Sequence, residues 1–247
     1  MSVKTVDYAN VRDPKTNGKN FSLVASSGRV REPVTRSKGR VVGRFPSAKN
    51  QASISWESQL ELKAIRLLEY CDSVVSYREQ PRLFSFLIDG VQKRYYPDFE
   101  VILSGGQRIY VEVKPKRRLL SQPIKAKHLA IADALEEQGE TLCFITDSHV
   151  ANDALQQNIT LIHPYNQVDI KQEDIELLRV AFKECETSFG SLISAGVALK
   201  TLYSAIAKGL ITIDLLSLIS LESNCIYNEE GHHENRIFTC WFASDLR

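Results

Sequence analysis

Two short strings near the middle of the chain bring together the residue types that hydrolyse phosphodiesters: Tyr96-Pro97-Asp98, and Tyr110-Val111-Glu112-Val113-Lys114. In an extended strand, residues two apart share a face, so Glu112 and Lys114 project together while Val111 and Val113 turn to the other, buried side. Asp98 opens the preceding strand. Two neighbouring carboxylates repel unless positive charge lies between them, and a divalent cation relieves that repulsion. A cation held there can bind a phosphate oxygen and activate a water molecule; an ammonium beside it can orient that water or offset charge on the phosphorus. Standing alone, the same residues also read as an exposed strand charge pair and a turn aspartate after proline.

The chemistry needs both acids on one face, and the turn between the strands decides that. A two-residue loop at Gly105-Gly106 sets Asp98 opposite Val113, on the wrong face. A three-residue loop over 104–106 sets it opposite Glu112. Such loops end in a left-handed residue, which Gly106 supplies without strain, so the sequence predicts this loop or an equivalent bulge. Glu61 is a third candidate carboxylate. Ser58-Gln59-Leu60-Glu61 is also a capping box, in which Glu61 bonds back to the Ser58 amide, and Glu57 competes for the ligand role from one turn earlier.

The elements around these residues follow from hydrophobic period. Leu60, Ala64, Leu67, Leu68 and Cys71 predict a helix starting near Ser55. A strand over 73–77 follows, then a hairpin of Leu83–Ile88 and 91–96 across Asp89-Gly90, then alternating strands through Phe99, Val101 and Leu103 and over 109–113. Together these read as an antiparallel meander. Lys116-Arg117-Arg118 comes next and reads either as a backbone-phosphate contact or as a solvated loop. A helix over 124–137 stopped by Gly139, a buried strand over 142–146 and a second candidate strand over 159–162 complete this part. The fold class is α/β, a mixed sheet flanked by helices. Beyond Tyr165, acidic Glu173, Asp174 and Glu176 suit the first turn of a helix whose stripe is Ile175, Leu178 and Phe182. Helices over 191–195 and 198–208, the second stopped by Gly209, and short strands at Ile211–Ile213 and 225–227 make a small, mainly helical, winged-helix-like unit.

Charge sharpens this division. The chain of 247 residues has a formal net charge of +1. Residues 1–50 carry 11 Lys+Arg against 3 Asp+Glu, residues 51–163 carry 13 against 15, and residues 164–247 carry 7 against 12. We read these as a basic arm (1–50, with a short ordered piece near 40–45), an α/β domain (51–163) and an acidic C-terminal domain (164–247). The arm suits a phosphate backbone through counterion release, or is a solvated leader. A net of −5 in the last part suits a protein partner better than DNA. No apolar run reaches the roughly 20 residues of a membrane span, and no secretion signal opens the chain, so a cytoplasmic, nucleoid-associated protein is expected. Cys71, Cys143, Cys185, Cys225 and Cys240 read as reduced thiols. The set Cys225, His232, His233 and Cys240 matches no common zinc module.

The motifs resemble the PD-(D/E)xK nuclease superfamily and, within it, the TnsA family of transposon-end endonucleases. The resemblance runs from about Phe45 to Asp147. It rests on the order of Gly43-Arg44-Phe45-Pro46-Ser47, Trp56-Glu57-Ser58-Gln59-Leu60-Glu61, Tyr77-Arg78-Glu79-Gln80-Pro81, Tyr96-Pro97-Asp98-Phe99 and Val111-Glu112-Val113-Lys114-Pro115. It implies a restriction-endonuclease-like core in which Glu61, Asp98 and Glu112 hold Mg²⁺, with Mn²⁺ able to substitute, and Lys114 positions the nucleophile. Arg78 and Gln80 lie near the site by the same pattern; with Lys116, Arg117 and Arg118 they are candidate DNA contacts. The implied activity is hydrolytic cleavage of double-stranded DNA at the 5′ ends of a transposon, leaving 3′ hydroxyl and 5′ phosphate. The implied partners are a TnsB-type DDE transposase and a TnsC-type AAA+ ATPase, the latter docking on the C-terminal domain. The alternatives are a stand-alone restriction or repair endonuclease, and a non-catalytic adaptor bridging DNA to an ATPase.

Overall fold

The structure, a computed structural model, describes residues 24–26, 41–71, 73–88, 91–182, 186–228 and 240–247. Most of the basic arm, the Asp89-Gly90 turn, Cys185, His232 and His233 lie outside the described residues. In chain order the elements are β1 (Val24–Ser26), β2 (Gly43–Ser47), β3 (Ala52–Trp56), α1 (Gln59–Tyr70), β4 (Val74–Glu79), β5 (Leu83–Ile88), β6 (Val91–Tyr95), β7 (Phe99–Leu103) and β8 (Arg108–Val113). Then follow α2 (Lys116–Leu119), α3 (Gln122–Glu136), β9 (Thr141–Ile145), α4 (Asp147–Val150), α5 (Asp153–Ile162) and a 3₁₀ turn at His163–Tyr165. The remainder is α6 (Gln172–Ala181), β10 (Glu186–Ser188), α7 (Phe189–Ser194), α8 (Leu199–Ala207), β11 (Ile211–Ile213), β12 (Asn224–Tyr227), β13 (Trp241–Phe242) and α9 (Ala243–Leu246).

The central sheet has the order β13-β9-β8-β7-β4. It is mixed, because α3 carries the chain over so that β9 runs parallel to β8, while the other pairs are antiparallel. Alternation along β7 and β8 fills both faces. Phe99, Val101, Val111 and Val113 pack with Ala64, Ile65, Leu67 and Leu68 of α1 in one core, which continues into α5 and the C-terminal helices. Tyr110 and Phe144 face the other way, against Ile131 and Leu135 of α3. Glu112 shares that second face and is buried there.

The structure departs from the sequence reading in four places. The first helix does not start near Ser55: residues 52–56 form β3, which pairs with β2, and the helix starts only after Ser58, whose side chain accepts from Glu61 N. Residues 159–162 are the last turn of α5 and not a strand. Asn152 caps that helix by accepting from Leu155 N, and Leu155, Ile159 and Ile162 form its buried stripe. The β5–β6 hairpin is not part of one meander. It belongs to a separate sheet, β1-β5-β6, and β4 pairs directly with β7. Finally, β13 comes from the end of the chain and returns to the edge of the central sheet, pairing Trp241 with Phe144.

The C-terminal segment contains α6, α7 and α8 beside a three-stranded antiparallel sheet of order β10-β12-β11. Asn158 of α5 ties it to the rest, donating to the carbonyls of Leu215 (2.9 Å) and Ser217 (2.7 Å). Among the described residues, no helix is long and apolar enough to cross a membrane.

Candidate active site

The β7–β8 hairpin closes through residues 104–106. Gly106 N donates to Leu103 O at 2.8 Å, Leu103 N to Gln107 O at 2.9 Å, and Gly106 has φ +78°. This is the three-residue loop that the spacing predicts, and its register pairs Phe99 with Val111, hence Asp98 with Glu112 one step further. Asp98 is held from both flanks. Its Oδ2 accepts from Val113 N at 2.7 Å, and its carbonyl accepts from Gln80 N at 2.8 Å. Gln80 achieves the second bond with φ +40°, a left-handed conformation unusual for a residue with a side chain.

Glu112 is 5 % exposed, and its two oxygens have different partners. Oε2 accepts from Tyr95 OH at 2.9 Å; Oε1 accepts from the Lys114 ammonium. The ammonium also lies 3.2 Å from His128 Nε2, and that nitrogen is 3.8 Å from Glu112 Oε1. Burial, then the positive charges of Lys114 and Lys127, push the His128 imidazole down to about 3, so the ring is neutral and makes no ion pair with Glu112.

Asp98 is held well above the usual carboxylate range. Burial is the largest cause, repulsion from Glu112 and Glu61 adds to it, and the Val113 amide and Lys114 offset part. Glu61 is raised as well, by burial first, with repulsion from Glu57 and Glu112 behind it. The three acids therefore feel one another. Glu61 nonetheless acts as a cap here: Glu57 N donates to its Oε2 at 2.7 Å and Ser58 Oγ to its Oε1 at 2.9 Å. Glu57 is turned to Gln80, whose Nε2 donates to it at 3.3 Å. Of the two, Glu61 is the one whose charge bears on Asp98.

Among the described residues, no group of three or more His, Cys, Asp or Glu side chains is placed to hold one metal ion. The donor chemistry still suits a hard cation. Asp98 and Glu112 offer two neighbouring carboxylates that repel one another, and magnesium takes one or two protein carboxylates, filling its other positions with water and substrate phosphate. Such a pair, with an ammonium beside it, can activate water next to a phosphodiester.

The other candidates are more dispersed. Arg78 is exposed and paired with Glu100 (Nε to Oε1, 2.9 Å), two residues along from Asp98. Lys116 lies in α2 with its amide on Asp147 Oδ1 at 2.5 Å and its ammonium 4.9 Å from the Trp241 ring. Arg117 and Arg118 are exposed on the same short helix. Cys225 is buried in β12. Sequence reasoning missed Tyr95 and His128. Tyr95 ends a strand of another sheet and gives no local signal. His128 does give a weak one, since it lies on the buried stripe of α3 with Ile131 and Leu135.

Residues 71–147 match the family model described as TnsA-like endonuclease N terminal. A comparison with curated proteins gave no match. The matched segment contains β4 to β9, and with them Asp98, Glu112, Lys114 and His128. Over residues 71–147, about a third of its length, the chain is thus similar to the N-terminal domain of TnsA-like endonucleases, and that similarity points to a nuclease related to transposition.

Proposed function

We propose that the chain is the magnesium-dependent endonuclease subunit of a heteromeric cut-and-paste transposase, hydrolysing DNA at the 5′ ends of a transposon. The observation that carries this reading is the register placing Asp98 directly across from Glu112, with Lys114 on the same face. Asp98 and Glu112 would hold Mg²⁺, which when bound supplies a water of lowered pKa and neutralises phosphate charge. Glu61 adds its negative charge at the margin of the pair. Lys114 orients the nucleophile and offsets charge on the phosphorus. Burial of Glu112 by Tyr95 and α3 keeps the centre in a low-dielectric surrounding, where these charges act most strongly. Arg117 and Arg118, together with Arg78 and Gln80, are suited to backbone contacts at the rim.

The C-terminal segment supports a docking role. Its element order as far as β12, helix, strand, two helices and two strands, with β12 central in its sheet, suits a winged-helix-like module. Its net charge of −5 (7 Lys+Arg against 12 Asp+Glu) opposes DNA, and Leu216, Leu218 and Leu221 stand exposed on the segment joining β11 to β12. A TnsC-type ATPase is the partner proposed for this surface, with a TnsB-type transposase cutting the other strand.

The test is strand-specific cleavage of end-bearing DNA by the full chain with its transposase partners. Asp98→Ala and Glu112→Ala should each abolish 5′-end cleavage and leave 3′-end cleavage by the partner intact. Unchanged excision with Asp98→Ala would favour a non-catalytic adaptor, and cutting of plain plasmid without partners would favour a stand-alone nuclease.

A further inference from the structure

His128 is 2 % exposed, on the face of α3 that covers β8. Tyr95 and Phe144 hold the ring edge-on from two sides, with centroids at 6.1 and 5.7 Å. Its Nε2 faces the Lys114 ammonium at 3.2 Å, while Nδ1 has no hydrogen-bond partner among the described residues. An ammonium can only donate, so Nε2 must accept, and the ring proton must then reside on Nδ1. That tautomer leaves a buried N–H unpaired, at a cost on the order of 1–3 kcal/mol. A phenylalanine of similar shape would avoid that cost in this aromatic pocket. What it would lose is the acceptor on Lys114.

Lys114 has three N–H bonds to place. One goes to Glu112 Oε1 and one to His128 Nε2, and the side chain remains 20 % exposed. The first of these anchors is conditional: once Glu112 turns Oε1 to a cation, that oxygen serves the ammonium poorly, and the like charges repel. A neutral acceptor is not subject to that competition. We infer that His128 is a positioning residue, the acceptor that keeps the Lys114 ammonium at the reaction centre when Glu112 engages metal. The inference rests on the proposed metal-dependent reading of the site and names the part of the chain that lets Lys114 and a cation share Glu112.

The experiment uses the full chain with ¹⁵N-labelled lysine, the Lys114 ammonium signal being assigned by its loss in Lys114→Met. His128→Leu should fold, bind Mg²⁺, lose the slowly exchanging Lys114 signal in the Mg²⁺-loaded protein, and cut about 10–100-fold more slowly with KM unchanged. His128→Gln, whose amide oxygen can accept, should restore both signal and rate. If His128→Leu keeps the signal and the rate in saturating Mg²⁺, the inference is overturned, while the reading of the site stands. A wild type that binds no Mg²⁺ overturns both. Should His128→Leu not fold, the ¹⁵N shifts of His128 in the wild type decide: an unprotonated Nε2 supports the inference and a protonated Nε2 refutes it.

Discussion

Asp98→Asn separates the charge of the central carboxylate from its shape, because the amide keeps an oxygen for the Val113 N–H. The surroundings disfavour the aspartate's charge, through burial first and then through Glu112 and Glu61. For a carboxylate raised in this way, the stabilising contribution is fully present below the unfolded value of about 3.9 and is lost as pH rises through the folded value. At neutral pH and without metal, the wild type therefore carries a penalty that the asparagine variant lacks. Against this, a neutral acceptor weakens the Val113 hydrogen bond by about 1 kcal/mol. The direction of the shift settles the balance, since that bond already counts in it and the neutral form is still favoured. In chelator at neutral pH, Asp98→Asn should melt no lower than the wild type. Mg²⁺ should reverse the order. At about one hundred times Kd, a ligand stabilises the fold by about 2.7 kcal/mol, and for a chain of this size each kcal/mol moves the melting temperature by about 2–4 °C. The wild type should thus gain about 5–11 °C in a calorimetric Mg²⁺ series and the variant almost nothing. A variant that responds to Mg²⁺ like the wild type, or that melts several degrees lower in chelator, would refute the reasoning.

Four further outcomes follow from the same geometry. Lys114→Met should cut about 10²–10³-fold more slowly, the loss seen when a donor to transition-state charge is removed, yet bind Mg²⁺ by calorimetry at least as tightly because Glu112 Oε1 loses its competitor. Ser58→Ala should cost about 1 kcal/mol in urea unfolding as a lost helix cap and leave cleavage intact. Glu61→Gln, which keeps one capping oxygen, should lose no more stability than that and still slow cleavage, because it removes the charge that Asp98 feels. Gly106→Ala should destabilise by about 1–2 kcal/mol in the same assay, all of it backbone, since nothing lies within 4 Å of the added methyl.

The core of the site was legible because it is local. Fifteen residues of hairpin, from Asp98 to Glu112, fix their own register through a glycine that accepts φ +78°, and alternation then assigns the faces. What could not be read depends on distant chain. The run 52–56 carries no mark showing that it pairs with β2, whose residues lie in a basic, weakly periodic segment, so hydrophobic period alone starts the helix too early, near Ser55. The apolar residues of 159–162 fit a buried strand as well as a helix stripe, and Asn152, seven residues upstream of Ile159, decides the matter by capping α5. His128 stands on an ordinary helical stripe; its meaning comes only when α3 folds back over β8 and brings Nε2 to Lys114. The return of β13 to the sheet edge lies furthest beyond reach, nearly one hundred residues from its partner β9.

A crystal of the full chain grown with Mn²⁺ would test the carboxylate pair most directly. Anomalous density should appear between the side chains of Asp98 and Glu112, with the Lys114 ammonium drawn off Glu112 Oε1 and still on His128. Manganese-saturated crystals with no ion between those carboxylates, and with Lys114 still bonded to Glu112, would contradict the account.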